Sequence, residues 1–216
     1  MEVYQYSEAE TAIINDYDKI NHNFWFIKKL ELAPLRKNLR NHYLPLQKFR
    51  CCYCKMLKQE SHGATWDVEH IVPKVLYPHF MFEHLNLCIS CKECNGFKLE
   101  TNVFKVKKAY KKYPLSSKSY KIIHPHLDNY SDHMDIKIYP NGHLVHYAKT
   151  EKGKETYICC NLFRFTLQAN NYDIDSDLLI KFSSLIGDSS TLNADTAKAF
   201  FKAALPQSLP ADELNC

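Results

Sequence analysis

Four cysteines are arranged as two pairs, and each pair has the spacing of a metal-binding turn. Cys51 and Cys54 form the first pair, and Cys91 and Cys94 form the second. Two sulfurs separated by two residues can approach one ion from the same side, so two such pairs complete a tetrahedral thiolate site for Zn²⁺. The sequence therefore predicts one structural zinc ion bound by these four residues.

Polar residues that could hydrolyse a phosphodiester lie between and just after the cysteine pairs. His70 has the side-chain type best suited to act as a general base near neutral pH. Glu69 and Asn95 offer the hard oxygen atoms that Mg²⁺ or Mn²⁺ prefers, and Asp67 is an alternative to Glu69. Hydrolysis needs an activated water and a cation at the phosphate oxygens, so this set is typical of a metal-dependent nuclease.

The order of these residues resembles the motif of HNH endonucleases, which are also called ββα-metal nucleases. The segment Asp67 to Pro73 is similar, too, to the start of the HNH domain in RNA-guided CRISPR nucleases. The matching residues are Glu69-His70, Ile71-Val72-Pro73, Asn86-Leu87 and the stretch Cys91 to Lys98.

This resemblance implies a role for each matched residue. His70 would be the general base, Glu69 and Asn95 would hold one catalytic ion, and Asn86 would be the structural member of the catalytic motif. Asn95 stands where the family often has histidine, so the chain is an HNN variant and magnesium or manganese is favoured at that position. Lys98, on the helix expected to present Asn95, is placed to contact a neighbouring phosphate.

We expect an α+β fold with three regions. Residues 1–50 are predicted to be helical, with a capping box at Ser7 and Glu10, apolar residues at helical spacing as far as Phe24, and a second helix from Pro34 toward Tyr43. Residues 51–98 are predicted to form the zinc-stapled nuclease core, with a hairpin carrying His70, a long loop and a helix.

The third region, residues 99–216, is predicted to contain a basic linker, a β-hairpin and helices. Pro140-Asn141-Gly142 indicates a turn between strands at 134–139 and 143–148. Apolar spacing predicts a helix after Thr156 and further helices at 178–186 and 197–204. The apolar face of the last helix is a candidate docking surface, although ordinary core packing explains it better. This face comprises Ala197, Phe200, Phe201 and Ala204.

Charge gives only local information about a nucleic-acid partner. The chain has 28 lysines and arginines against 24 acidic residues, a net charge of +4, which is mildly basic. A lysine strip interleaved with tyrosines follows the nuclease core, and it could track phosphates or form a solvated linker. The strip residues that we single out are Lys107, Lys108, Lys111 and Lys112.

Cysteine usage and the N-terminal residues predict a cytoplasmic protein. Nine cysteines, an odd number with four assigned to zinc, indicate reduced thiols. The segment Met1 to Tyr4 shows neither the basic nor the apolar part of a signal peptide, and no apolar run is long enough for a membrane helix.

A histidine-rich segment begins at His124. His124, His126 and Asp128 alternate and could form a second metal site, although bracing of the substrate groove explains them better. This segment resembles a stretch that follows the HNH unit in nucleases of bacterial antiphage systems, including the PtuB-like subunits of Septu and the HNH components of certain retrons. That resemblance implies an ABC-type or SMC-like ATPase partner, similar to PtuA.

Together, these features favour a metal-dependent endonuclease that cuts nucleic acid, with DNA the preferred candidate, in antiphage defence. The alternative is a zinc-stabilised adaptor for nucleic acid or protein, whose nuclease centre is idle. The presence of Glu69, His70, Asn86 and Asn95 favours the enzyme, because an idle centre has no chemical need for all four.

Overall fold

The computed structural model describes residues 1–28, 30–138, 144–169, 207–208 and 215. Within these ranges the protein is a mixed α+β structure with one two-stranded and one three-stranded sheet.

The first helix, α1 (Glu8–Asn15), begins at the predicted capping box. The backbone N–H of Glu10 donates to the Ser7 hydroxyl at 3.3 Å, and the backbone N–H of Ser7 donates to the Glu10 carboxylate at 2.9 Å. The helix does not continue to Phe24 as the apolar spacing suggested. The Asp18 carboxylate accepts the backbone N–H groups of Ile20 and Asn21, which turns the chain, and a short separate helix follows, α2 (Phe24–Ile27).

The longest helix in the described ranges is α3 (Ala33–Leu46), and it confirms the helix predicted after Pro34. Its buried face contains Leu35 and Leu39 and packs against the strands of the next region. Beyond its end, the Gln47 amide forms two hydrogen bonds with the backbone of Ile89, at 2.8 and 2.9 Å. The N-terminal region is therefore fixed directly to the strand that leads to the second cysteine pair.

Strands β1 (Trp66–His70) and β2 (Leu87–Cys91) pair in an antiparallel arrangement, with Glu69 opposite Cys88. The long loop between them contains two 3₁₀ turns, Pro78–Phe80 and His84–Asn86. Helix α4 (Lys92–Lys98) follows β2 immediately, because Cys91 serves as its N-cap. We expected a hairpin carrying His70 to precede the long loop; instead the long loop joins the two paired strands, and the predicted helix follows the second strand.

The third region contains a 3₁₀ turn at Ser117–Ser119 and a short helix, α5 (Tyr130–His133). Strands β3 (Met134–Ile138) and β4 (Leu144–Ala148) confirm the predicted hairpin, and β5 (Gln207–Ser208) adds to the other edge of β3. The proposed turn at Pro140-Asn141-Gly142 lies outside the described residues.

Two helices replace the single helix predicted after Thr156. Helix α6 (Glu151–Cys159) starts earlier, because the Thr150 hydroxyl caps it by accepting the backbone N–H of Gly153 at 3.2 Å. The chain then breaks at Asn161, whose φ of 47° is left-handed, and α7 (Phe163–Ala169) follows. The helices predicted at 178–186 and 197–204, including the Phe200 face, lie outside the described residues.

Buried apolar side chains from all three regions belong to one core cluster, represented by Leu39, Ile89 and Phe165. Among the helices in the described ranges, none has the length and apolar character needed to cross a membrane.

Candidate functional site

The four predicted zinc ligands meet in one buried cluster. Their sulfur atoms all lie within 4.8 Å of one another, and the Sγ atoms of Cys54 and Cys91 are 3.8 Å apart. The four side chains are buried. Four thiols converging at this separation fit tetrahedral Zn²⁺ and leave no position for a substrate, as in a structural site.

Polar groups around the cluster suit bound thiolates. The Arg164 guanidinium donates to Cys94 Sγ at 3.1 Å, and the backbone N–H of Cys91 donates to Cys51 Sγ at 3.3 Å. Such donors stabilise negative charge on sulfur and orient the ligands. Arg164 lies on α7, so the third region closes one side of the cluster.

His70 ends β1 and lines a cleft with a volume of about 700 Å³. Only 6% of the residue is exposed. The Met81 backbone lies close enough to interact with its ring, and its Nε2 atom is buried and has no hydrogen-bond partner in the described structure. His70 therefore lines the cleft with one ring nitrogen that has no hydrogen-bond partner in the described structure.

Burial is the largest influence on the pKa of His70 and lowers it well below the ordinary value, and the positive charges of Lys74 and Lys98 lower it further. The ring is consequently neutral near pH 7. A neutral imidazole has a proton on one ring nitrogen and can accept a proton at the other.

Trp25 packs on this histidine and was missed by the sequence analysis. Its ring makes an edge contact with the His70 ring, with centroids 4.7 Å apart. Trp25 is buried and belongs to α2, some 45 positions before the histidine. No spacing in the sequence connects the two residues, so only the tertiary fold reveals this contact.

The two candidate carboxylates occupy different environments. Glu69 is 2% exposed and accepts hydrogen bonds from the Tyr53 hydroxyl at 2.9 Å and from Lys98 at 2.6 Å. Asp67 is partly exposed and accepts a hydrogen bond from the Asn95 amide at 2.7 Å, and it also pairs with Lys92. Asp67, the alternative noted from the sequence, therefore lies directly against Asn95, while Glu69 is engaged in a buried ion pair.

Lys98 corrects a sequence-based expectation. We expected its ammonium group to contact a phosphate, but the residue is only 1% exposed. Its Nζ atom bonds Glu69 at 2.6 Å and the His70 carbonyl at 2.9 Å. The last turn of α4 faces β1 rather than solvent, so Lys98 holds the helix that carries Asn95 against the strand that carries His70.

Asn86 braces the loop between the two strands. Its side chain accepts the Val72 N–H at 2.6 Å and donates to the carbonyls of Val72 and Phe80 at 3.1 and 2.8 Å. The same loop supplies the Met81 backbone that lies beside the His70 ring. Asn86 thus acts on the histidine indirectly, through the loop.

The histidine-rich segment does not assemble a second metal site. The His124 ring bonds the Tyr113 hydroxyl at 2.9 Å, and the His126 ring bonds the Leu87 carbonyl at 2.8 Å. Asp128 pairs with Lys152 at 2.6 Å. Over the described ranges, only the four-cysteine cluster has a metal-binding arrangement; the three side chains instead brace the packing of the third region.

The lysine strip lies apart from the cleft lining. Lys107, Lys108, Lys111 and Lys112 are exposed, and the backbone around them contacts the Pro78–Phe80 turn through Tyr77 and His79. The cleft is instead lined by β1, by α4 and by residues of the N-terminal helices, including Arg36 and Arg40. These arginines were not identified from the sequence, although their spacing of four on a predicted helix was a usable signal.

Comparisons with known proteins give one distant relative. The chain is 31% identical to the Septu protein PtuB of Bacillus thuringiensis over 93 residues, which is 43% of this chain and 30% of that protein. No family model matches the chain. No solved structure matches it either. The similarity therefore supports a Septu-like relationship over part of each chain.

Proposed function

We propose that this chain is a metal-dependent endonuclease of the HNH type that hydrolyses phosphodiester bonds of nucleic acid, with DNA the favoured substrate. The observation that carries the proposal is the unpartnered, buried Nε2 atom of His70 in a cleft that also contains Asp67 and Asn95. A neutral imidazole beside hard oxygen donors is the minimal equipment for water activation.

The chemistry of the donors fits a hard divalent cation. Asn95 and a carboxylate would hold Mg²⁺ or Mn²⁺, and the contact between Asn95 and Asp67 favours Asp67 for this role, with Glu69 behind it. When bound, the ion supplies positive charge to the phosphate oxygens as the bond breaks.

His70 performs the proton transfer in this proposal. Nε2 takes a proton from a water molecule, and the resulting hydroxide attacks phosphorus. The P–O bond to the leaving oxygen then breaks, and that oxygen acquires a proton from solvent. The Met81 backbone lies beside the ring, while Trp25 limits its exposure to water.

The similarity to a Septu protein supports a place in antiphage defence. We therefore propose that the chain acts in the cytoplasm as the nuclease subunit of an assembly with an ABC-type or SMC-like ATPase resembling PtuA. Restraint by a partner suits a nuclease without a recognisable sequence-reading module, because unrestrained cutting would damage the host.

Activity is tested with the purified chain, alone and co-expressed with a PtuA-like ATPase, on duplex DNA, single-stranded DNA and RNA. We expect cleavage with magnesium or manganese and none after chelation by EDTA. If no substrate is cut under any of these conditions, the zinc-stabilised adaptor is the correct function.

Assembly is tested separately by size-exclusion chromatography with light scattering. We expect co-elution with the ATPase at a defined stoichiometry. A fully active monomer that ignores the ATPase would contradict the assembly and leave the nuclease assignment intact.

A further inference from the structure

Three cationic side chains line the same cleft as His70. Arg36 and Arg40 lie one helical turn apart on α3, and Lys74 follows β1 in the loop. Residues four apart on a helix share a face, so both arginines face the cleft together. The N-terminal region thus contributes a basic surface to a site whose chemistry comes from residues 67–95.

Arg36 is tied to the catalytic histidine through one aromatic ring. Its guanidinium carbon lies 4.6 Å from the centroid of the Trp25 ring. The Nη2 atom of the same group donates a hydrogen bond to the Trp25 carbonyl. The same Trp25 ring contacts the His70 ring at 4.7 Å. A planar guanidinium held in this way is oriented before any ligand arrives.

Arg40 and Lys74 are also held at the cleft. The Arg40 guanidinium lies against Gly63, since a Cβ atom there would be 3.4 Å from Nη1, and the buried Arg40 Nε has no hydrogen-bond partner in the described structure. The Lys74 ammonium lies 4.9 Å from the centroid of Phe26, a ring that is 61% exposed.

Basic residues outnumber acidic residues in the described lining of the cleft, four to three, although Asp67 attracts Arg40, and Glu69 and Glu100 attract Lys74. Glu69 is paired with Lys98 and Asp67 with Lys92, which leaves Glu100 as the remaining acid of the described lining. Burial, followed by the charge of Arg40, lowers the pKa of Arg36, so the two guanidinium groups repel each other. An anion in the cleft would relieve this repulsion.

We propose that Arg36, Arg40 and Lys74 bind backbone phosphates next to the bond that is cut, so that the nucleic-acid strand reaches His70 along the N-terminal helices. This inference rests on the proposed nuclease function and adds the binding surface that places the substrate. Guanidinium groups bind phosphate oxygens in two-point contacts, and an exposed ring beside them suits a nucleic-acid strand better than a free phosphate ion.

The test measures binding of fluorescent duplex and single-stranded DNA by anisotropy over a series of salt concentrations, in a His70→Ala background that does not cut. The variant Arg40→Gln with Lys74→Gln removes two charges from the cleft. The matched control, Lys37→Gln with Lys154→Gln, removes two exposed charges, one of them on the same helix. Thermal unfolding and zinc content show that each variant is folded.

For the cleft variant we expect roughly ten-fold weaker binding at 0.1 M salt, and a slope of log affinity against log salt that is smaller by about 1.8 on duplex DNA. The control should stay within about two-fold of the parent. The charge-conserving variant Arg40→Lys should retain most of the slope, which separates loss of charge from damage to the fold.

The inference would be overturned if the cleft variant bound DNA as tightly as its parent, or if the cleft variant and the control lost affinity equally. It would also be overturned if the parent bound no nucleic acid. A cleft variant that still binds DNA but no longer forms a complex with the ATPase would also overturn the inference, and it would assign the surface to a protein partner. Because binding is measured without cleavage, a wild-type chain that cuts nothing would refute the nuclease while leaving a positive binding result in place.

Discussion

The cysteine cluster and the cleft lie on the same pair of strands and differ in whether their side chains converge on one point. Cys91 pairs with Trp66 at one end of the strands, and His70 pairs with Leu87 at the other. The four thiols are buried, converge on one point and accept hydrogen bonds from Arg164 and backbone. The cleft keeps an unpartnered histidine nitrogen and a group of mutually repelling cations.

The difference separates a site that stabilises the fold from one that is kept available for a ligand. Closed coordination is characteristic of structural metal sites, whereas a catalytic site must leave positions open. Like charges held close together reduce stability, so a cluster of cations in a cleft indicates a role in binding. Substitutions at the two sites should therefore differ mainly in whether they change stability or activity.

The largest expected effect is loss of the structural metal. Cys94→Ser should remove zinc and lower the unfolding temperature by at least about 10 °C, because binding of a structural zinc ion is coupled to folding. Elemental analysis and thermal unfolding check this result. Cys159→Ser, outside the cluster, is the matched control, and a stable Cys94→Ser protein without zinc would contradict the assignment.

The second effect concerns the buried ion pair that joins α4 to β1. Lys98→Met leaves the Glu69 carboxylate buried without its partner, which should cost about 3–5 kcal/mol of unfolding free energy in a urea titration. Combining Lys98→Met with Glu69→Gln removes the uncompensated charge and should recover a large part of the loss. A double variant as unstable as the single one would show that Lys98 does not act through Glu69.

Much of the four-cysteine cluster and of the local structure could be predicted from the sequence, because those features depend on short spacings. Both cysteine pairs, the Ser7 capping box and the helix that starts after Cys91 are examples. The end of α1 at Asn15 was not predicted, because the apolar residues keep their helical spacing beyond this point. The turn formed by the Asp18 side chain competes with the helix there and ends it.

The parts that escaped prediction depend on contacts between distant residues. Whether Lys98 faces solvent or Glu69 is decided by how α4 packs on β1, and spacing carries no information on that point. Trp25 and Arg36 reach His70 only because α2 and α3 fold over the strands. A lysine-rich segment is conspicuous in a sequence, whereas a cleft assembled from three regions is not.

A third, smaller effect is a dependence of stability on pH through His124. Burial lowers the pKa of His124 to about 3, below the ordinary value near 6.5, so the folded protein resists a proton that the unfolded chain accepts. This contribution is fully present above about pH 6.5 and is lost as the pH falls toward about 3. Urea titrations between pH 7 and pH 4 should show a shallower loss for His124→Gln, and an unchanged slope would contradict the prediction.

The smallest effect on the fold and the chemistry is expected at the lysine strip. Replacing Lys107, Lys108, Lys111 and Lys112 with Gln should change unfolding free energy by less than about 0.5 kcal/mol, because all four side chains are exposed. The affinity for nucleic acids of unrelated sequence should fall by the same factor, and the slope of log affinity against log salt should become smaller. The cleavage rate at saturating nucleic acid should stay unchanged. An unchanged slope would identify the strip as a solvated linker.

The central claim is that His70 is the base of a nuclease centre, and one comparison of single-turnover cleavage rates tests it most directly. His70→Ala is compared with the wild-type chain and with His62→Ala, an exposed control histidine, in magnesium with the ATPase present. We predict that His70→Ala is slower by roughly 100-fold to 10,000-fold with unchanged zinc content, while His62→Ala cuts normally. A His70→Ala protein that cuts at the wild-type rate would contradict the account.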